Sequence, residues 1–313
     1  MLRACILAVL AACVAIAASC SREPASSAGT TGASDTDAPR IAALSPAVAI
    51  MLRDLGHADD IVARHAYDYV LPAEIPAAGD QAGIDYEALI RAAPTHVFTQ
   101  WGAREVPGRL TELAAQRGWT LRDVNPLSLE DIAQATLTLD GALHGEPRGM
   151  ANELAASVRA LAALPASSSG NPLRVLLLVG LSPATALGPG SCHHEMLLSA
   201  GARAAVEQGL AFQDLTNEDL VRLAPDAIIW FRPRSPRAMN PTGESGGREG
   251  NAGAADPWEP VRGLRLGAVE GGRVAIIDDP LGLMPSTAMI GVGKRMRELV
   301  EGWGTVERKL GER

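Results

Sequence analysis

The sequence predicts an α/β fold of two related lobes built on parallel sheets, and three observations carry the prediction. The chain has 313 residues, about twice a common single-domain length, and 47% of them are hydrophobic, ample for a sizeable core. A segment of a dozen residues occurs twice. Around both copies, capped helices alternate with compact apolar runs, the order that builds parallel sheets.

Taken in order, the chain opens with Met1-Leu2-Arg3 and an uncharged apolar run over residues 4–18, then Ala17-Ala18-Ser19-Cys20. A charged start, an apolar middle and a small-residue end make an export signal. The run is short of the roughly 20 residues that a membrane span needs. Its small-small-Cys ending resembles the lipobox of bacterial lipoproteins, although Ala17 stands where that motif usually has Leu. The expectation is removal of residues 1–19 and lipidation of Cys20. Removal takes away Cys5, Cys13 and Arg3, leaving 27 basic against 36 acidic residues and a net charge near −9. Such an acidic balance argues against a nucleic-acid partner. With Cys20 lipidated, Cys192 has no disulfide partner. Residues 20–39 then form a tether of Ser, Gly, Ala, Thr, Pro and Asp that cannot bury apolar area, with a reach of roughly 25 Å.

The first repeat copy runs Glu87-Ala-Leu89-Ile90-Arg91-Ala-Ala93-Pro94-Thr-His96-Val97-Phe98. The second runs Glu218-Asp-Leu220-Val221-Arg222-Leu-Ala224-Pro225-Asp-Ala227-Ile228-Ile229, 131 residues later. Asp85 and Thr216 are N-cap residues, and Thr216 with Asp219 has capping-box spacing. Pro94 and Pro225 stop the helices. Buried strands follow from His96 to Trp101 and from Ala227 to Phe231. Further strands are expected at Ile61–Ala63, Arg174–Leu181 and Arg273–Ile277. Ser128 and Asp131 cap a helix between the lobes, and a long helix from about 147 to 164 is expected to bridge them, stopped by Pro165 and the break at 167–170. The lobes are thus expected at 40–140 and 169–313, with the bridge at 141–168. Residues 232–257, rich in Arg, Pro, Gly and Ser, form an irregular excursion too long for an ordinary loop.

Ligands bind beyond the carboxyl ends of parallel strands. The repeated strands end at Trp101 and Arg232, an aromatic plate and a cation suited to a flat or bulky chelate with carboxylates or phosphate. Only 4% of residues are aromatic, yet two of the 3 tyrosines, Tyr67 and Tyr69, cluster after the strand at 61–63. Tyr67, His65 and Tyr69 offer groups for iron ligation or hydrogen bonding. Cys192-His193-His194 opens a helix, and adjacent helical histidines point about 100° apart, so they rarely chelate one ion together. His57, His65, His96 and His144 are scattered without metal-site spacing, which argues against a free-metal receptor. No catalytic elbow, phosphate-cradling loop or Cys-x-x-Cys occurs, so no catalytic residue is assigned.

Arg40-Ile41-x-x-Leu44-Ser45-Pro46 with Leu52 and Leu55-Gly56, then Ser128-Leu-Glu-Asp-Ile132, Leu187-Gly-Pro-Gly-Ser191 and Gly272-Arg-Val-x-Ile276, resemble in order the periplasmic cobalamin- and iron-chelate-binding proteins that serve ABC importers. The resemblance covers about residues 40–300. It implies two Rossmann-like lobes joined by one long helix, with a chelate held between them: a corrinoid, a ferric siderophore or haem. It brings Tyr67, Tyr69, Trp101, His193 and Arg232 to the cleft, with Tyr67, His193 or His194 as a haem axial ligand. It also implies that Glu87 and Glu218, in equivalent first turns, dock to the two subunits of an ABC permease coupled to its ATPase. The expectation is therefore an exported, lipid-anchored, monomeric binding protein of the periplasm or cell envelope, without a cofactor of its own. Two alternatives stay open: an exported enzyme on the same scaffold, such as a chelatase-like activity, and an envelope lipoprotein with a degenerate cleft.

Overall fold

Both copies of the repeat fold as a seven-residue helix followed by a strand. This is a computed structural model that describes residues 38–80, 82–102, 104–163, 172–232 and 256–304, and the backbone of 305–311. The expected signal at 1–19, Cys20, nearly all of the 20–39 tether, the break at 165–170 and most of the 232–257 excursion lie outside the described residues.

The first half contains β1 (Ile41–Ala43), α1 (Pro46–Asp54), β2 (Ile61–Arg64), a hairpin of β3 (Gly79–Asp80) and β4 (Gly83–Ile84), α2 (Tyr86–Ala92), β5 (His96–Thr99), α3 (Gly108–Arg117) and β6 (Thr120–Asp123). Its main sheet has the order β2-β1-β5-β6 and is parallel throughout. Strand alternation sorts the core onto two faces. Ile41 and Ala43 pack with Phe98 against Val48, Met51 and Leu52 of α1, whereas Ala42 and Val97 face Leu89 of α2 and Leu110 of α3.

Next come α4 (Leu129–His144) and α5 (Gly149–Ala160). The second half contains β7 (Arg174–Leu181), β8 (Ala184–Leu187), α6 (Cys192–Ser199), β9 (Arg203–Ala204), β10 (Phe212–Leu215), α7 (Asn217–Leu223), β11 (Ala227–Phe231), α8 (Glu259–Arg262), α9 (Gly267–Glu270), β12 (Val274–Ile277) and α10 (Met289–Gly311). Val175 and Leu177 point toward α6 and α10, and Leu176 and Leu178 toward α7, α8 and α9. Among the described residues no helix is long and apolar enough to cross a membrane.

The α/β fold with sheets flanked by helices matches the sequence expectation, with two corrections. The second sheet, ordered β10-β8-β7-β11-β12 with β9 beside β7, is mixed rather than parallel, because β8 runs antiparallel to both β7 and β10. The two-residue turn after Leu181 allows only a hairpin, since a parallel return needs a crossover. The bridge is also a helix pair, not one long helix. Helix α4 sends Leu129, Ile132 and Ala133 into the second-half core and Ala135 and Leu139 into the first-half core. Helix α5, 12 residues long, does the same in reverse with Ala151 and then Ala155 and Val158.

In each repeat copy the cap predicted from sequence is made. Asp85 accepts the Ala88 N–H, and Thr216 with Asp219 forms a full capping box. Each helix ends at an alanine in the left-handed region, Ala93 (φ 45°) and Ala224 (φ 40°), directly before proline. An arginine at the start of each half caps the helix carbonyls. Arg40 donates from Nε to Ala93 O (3.0 Å) and from an Nη to Ala92 O (2.6 Å). Arg174 donates from an Nη to Leu223 O (2.6 Å). The cations thus sit where the helix dipole is negative.

Candidate functional site

A cavity of about 320 Å³ opens beyond the carboxyl ends of β1, β2 and β5. Leu44, Ser45 and Pro46 line it after β1, His65 and Tyr67 after β2, and Thr99, Gln100, Trp101 and Arg104 after β5. Met284, from the segment between β12 and α10, closes the opposite side.

Each wall is held from behind. Arg64, at the end of β2, donates to the carbonyls of Ile75 (2.9 Å), His65 (3.0 Å) and Ala66 (3.3 Å), which braces the loop that carries His65 and Tyr67. Asp68 turns the same loop by accepting the amides of Val70 (2.9 Å) and Leu71 (2.8 Å). On the other wall, Asp123 at the end of β6 accepts from Thr99 Oγ1 (2.6 Å) and from the Trp101 amide (2.9 Å). Ser45 Oγ donates to Gln100 Oε1 (2.6 Å), joining the β1 and β5 ends.

The lining combines aromatic, polar and charged groups. Tyr67 is 62% exposed. The Tyr67 amide donates to His65 Nδ1 (3.2 Å), which fixes the neutral tautomer with hydrogen on Nε2. Burial pushes the His65 pKa below its ordinary value, against the pull of Asp80 and Asp68. His65 thus presents an Nε2–H donor, beside the exposed Tyr67 phenol. Trp101 presents its ring to the Arg104 guanidinium, 4.9 Å from the ring centre, a cation–π contact that holds the charge at the cavity edge. The Trp101 indole N–H is buried without an acceptor among the described residues.

Of the residues expected at a cleft, Tyr67 and Trp101 line this cavity together. Tyr69 does not: it is half-buried and its hydroxyl donates to the Pro280 carbonyl, tying the first half to the segment before α10. Its pKa is raised by burial, then by Asp68 and Asp279. Thr287 Oγ1 donates to Asp54 Oδ2 (2.6 Å) in a second such tie. Arg232 pairs with Asp278 (3.1 Å) and is not among the lining residues. The cavity cation is Arg104 instead, three residues beyond the strand-end tryptophan. Its signal in the sequence is that Arg104 is the first cation after the end of β5.

His193 corrects the expectation most sharply. It is 1% exposed, packs edge-on against Phe231 with centroids 4.9 Å apart, and shares a 2.7 Å hydrogen bond between Nε2 and Gly282 O. Burial pushes its pKa down to about 4. It is a core residue of the second half and cannot ligate haem from there. His194 is half-buried on the adjoining side of α6 and is likewise not among the lining residues. Cys192 is buried, and its thiol is pushed up to about 12 by burial first and Glu195 second. Glu87 and Glu218 are both exposed, each the second residue of its helix, and neither has a salt-bridge partner among the described residues.

No family model and no curated protein sequence matches the chain. Solved structures do. The periplasmic vitamin B12 binding protein BtuF of Vibrio cholerae matches with a TM-score of 0.61 at 18% identity, over 85% of this chain and 97% of that one. The periplasmic haem-binding protein RhuT from Roseiflexus sp. RS-1 matches at 0.62 and 18% identity, over 85% and 99%. The periplasmic haem-binding protein HutB of Vibrio cholerae matches at 0.61 and 18%, over 86% and 98%. The chain has their fold. That shared fold spans nearly the whole of each neighbour.

Proposed function

We propose that this protein is the substrate-binding component of an ABC importer for a metal chelate. The observation that carries the proposal is the cavity at the ends of β1, β2 and β5, where an available phenol, an aromatic plate and a cation converge on a fold shared with periplasmic binding proteins. Its volume, about 320 Å³, lies at the small end of the ~300–1,000 Å³ common for ligand sites. A flat chelate bearing carboxylates suits it best: Tyr67 ligates the metal, Trp101 stacks, and Arg104 meets the carboxylates. Haem, a ferric siderophore and a corrinoid all exceed this volume and fit once the Tyr69–Pro280 and Asp54–Thr287 ties part.

In the same proposal, the protein is exported and anchored through lipid on Cys20 after loss of residues 1–19. The tether of 20–39 leads into lobes at 40–140 and 169–313 with the bridge at 141–168. The chain acts as a monomer, without catalysis of its own and without a nucleic-acid partner. Glu87 and Glu218 dock to the permease dimer; their equivalent and exposed positions, without a salt bridge among the described residues, support that role.

The test is a melting-temperature screen of the purified protein against haem, a ferric siderophore and a corrinoid at micromolar concentration. A ligand that binds only the folded state must raise the midpoint. A rise with one of the three supports the proposal, and no rise with any of them, alongside turnover of one, refutes it in favour of an enzyme.

A further inference from the structure

The fold brings together two histidines that the sequence keeps 87 residues apart. His57 stands in the turn between α1 and the short 3-10 turn Ala58–Asp60, and Asp140 and His144 occupy the last turns of α4. At spacing i, i+4 the latter two share one helix face. His57 Nε2 lies 3.1 Å from His144 Nε2, and His144 Nε2 lies 3.6 Å from Asp140 Oδ1. One ligand atom from each of the three residues falls within 4.8 Å of the others.

The surroundings are built for ligation rather than for a chance encounter. Asp60 Oδ2 is 2.8 Å from His57 Nδ1. A carboxylate can only accept, so Nδ1 carries the hydrogen and Nε2 presents its lone pair. That is the carboxylate–histidine arrangement found behind metal-ligating imidazoles. On the other side, the Arg148 amide donates to Asp140 Oδ2, leaving Oδ1 for an ion. Asp140 is 3% exposed at its side chain, and the two histidines 11% and 12%, so one edge stays open to water. Two Zn–N bonds of ~2.0–2.1 Å at a tetrahedral angle need nitrogens about 3.3 Å apart, close to what is observed.

We propose that His57, Asp140 and His144 form a site for one divalent transition-metal cation, zinc foremost, with water as fourth ligand, stapling the turn after α1 to the end of α4. Two imidazoles and one carboxylate favour borderline cations over magnesium or calcium. The site is separate from the chelate cavity. Helix α1 begins at Pro46 on the cavity wall and runs about 14 Å before the chain reaches His57.

The experiment is zinc titration of chelator-stripped, ligand-free protein by calorimetry, followed by cobalt substitution. One equivalent of zinc, and a tetrahedral visible spectrum with cobalt, are expected. His57→Gln and His144→Gln should each weaken binding by at least a hundredfold. Asp60→Asn, which leaves every ligand in place, should weaken it by roughly 10- to 100-fold while the apo protein melts as wild type does. Three results would overturn the proposal: no stoichiometric zinc on folded wild type, binding unchanged in the histidine variants, or an octahedral cobalt spectrum. The first would leave the 3.1 Å contact as a hydrogen bond between one protonated and one bare Nε2.

Discussion

Replacing His193 by glutamine should change how the protein responds to acid. In the folded chain His193 is buried in the second-half core, and burial lowers its pKa from 6.5 to about 4, only partly offset by its hydrogen bond to Gly282 O. In the unfolded chain the imidazole regains its ordinary value. Between about pH 6.5 and 4 the unfolded state therefore binds more protons than the folded one, and stability falls as pH is lowered. The contribution is fully present above that window and is lost on descending through it. A gap of about 2.5 units at ~1.4 kcal/mol per unit gives a loss of about 3 kcal/mol. Glutamine fills much of the same space, keeps a donor for Gly282 O and does not titrate. Urea unfolding near pH 7 and near pH 4, followed by circular dichroism, measures the effect. Carboxylates titrate alike in both proteins, so the difference between their losses isolates His193. Wild type should lose about 3 kcal/mol more than the variant. Equal losses would mean that His193 reaches solvent, as the cleft role expected from sequence requires, and would refute its core placement.

Three other outcomes follow from the structure. Arg40→Ala should cost about 1 kcal/mol, because the site is partly exposed, and Arg174→Ala about 2 kcal/mol. The two losses should add in the double variant, since the caps lie in different halves, and a coupling measured by urea midpoints would contradict independent repeat units. Gly188→Ala should cost about 1–3 kcal/mol by thermal melting, because an added Cβ would meet the Leu210 carbonyl oxygen at 2.5 Å and Val206 Cγ1 at 3.2 Å. Glu87→Ala with Glu218→Ala should abolish uptake in a reconstituted importer while ligand affinity stays at the wild-type value; lost ligand binding would refute a docking role.

What the sequence revealed, it revealed through local chemistry. Asp85, Thr216 and the Ala-Pro pairs are cap and stop signals that act within one turn, so both repeat helices and their strands were readable. That Tyr67 and Trp101 line one cavity was readable because both follow strand ends of the first sheet. The misses depend on distant neighbours. Ala184–Leu187 and Phe212–Leu215 are too short to show a period, so the antiparallel edge of the second sheet left no mark. His193 and His194 are adjacent on a helix, and only tertiary packing decides which of them turns inward. Met284 reaches the cavity from a segment with no motif. The approach of His57 to His144 likewise depends on tertiary packing, since 87 residues separate them.

Chelate binding at the cavity is measured directly by a ligand titration of wild type beside Tyr67→Phe, Trp101→Ala and Arg104→Ala, using whichever chelate raises the melting temperature. One equivalent should bind wild type. For haem, Tyr67→Phe should shift the absorbance spectrum as the phenolate ligand is lost. Trp101→Ala should weaken affinity tenfold or more, consistent with about 1–3 kcal/mol for a lost aromatic platform. Wild-type affinity and spectra in all three variants would contradict the account, because the chelate would then sit somewhere other than the ends of β1, β2 and β5.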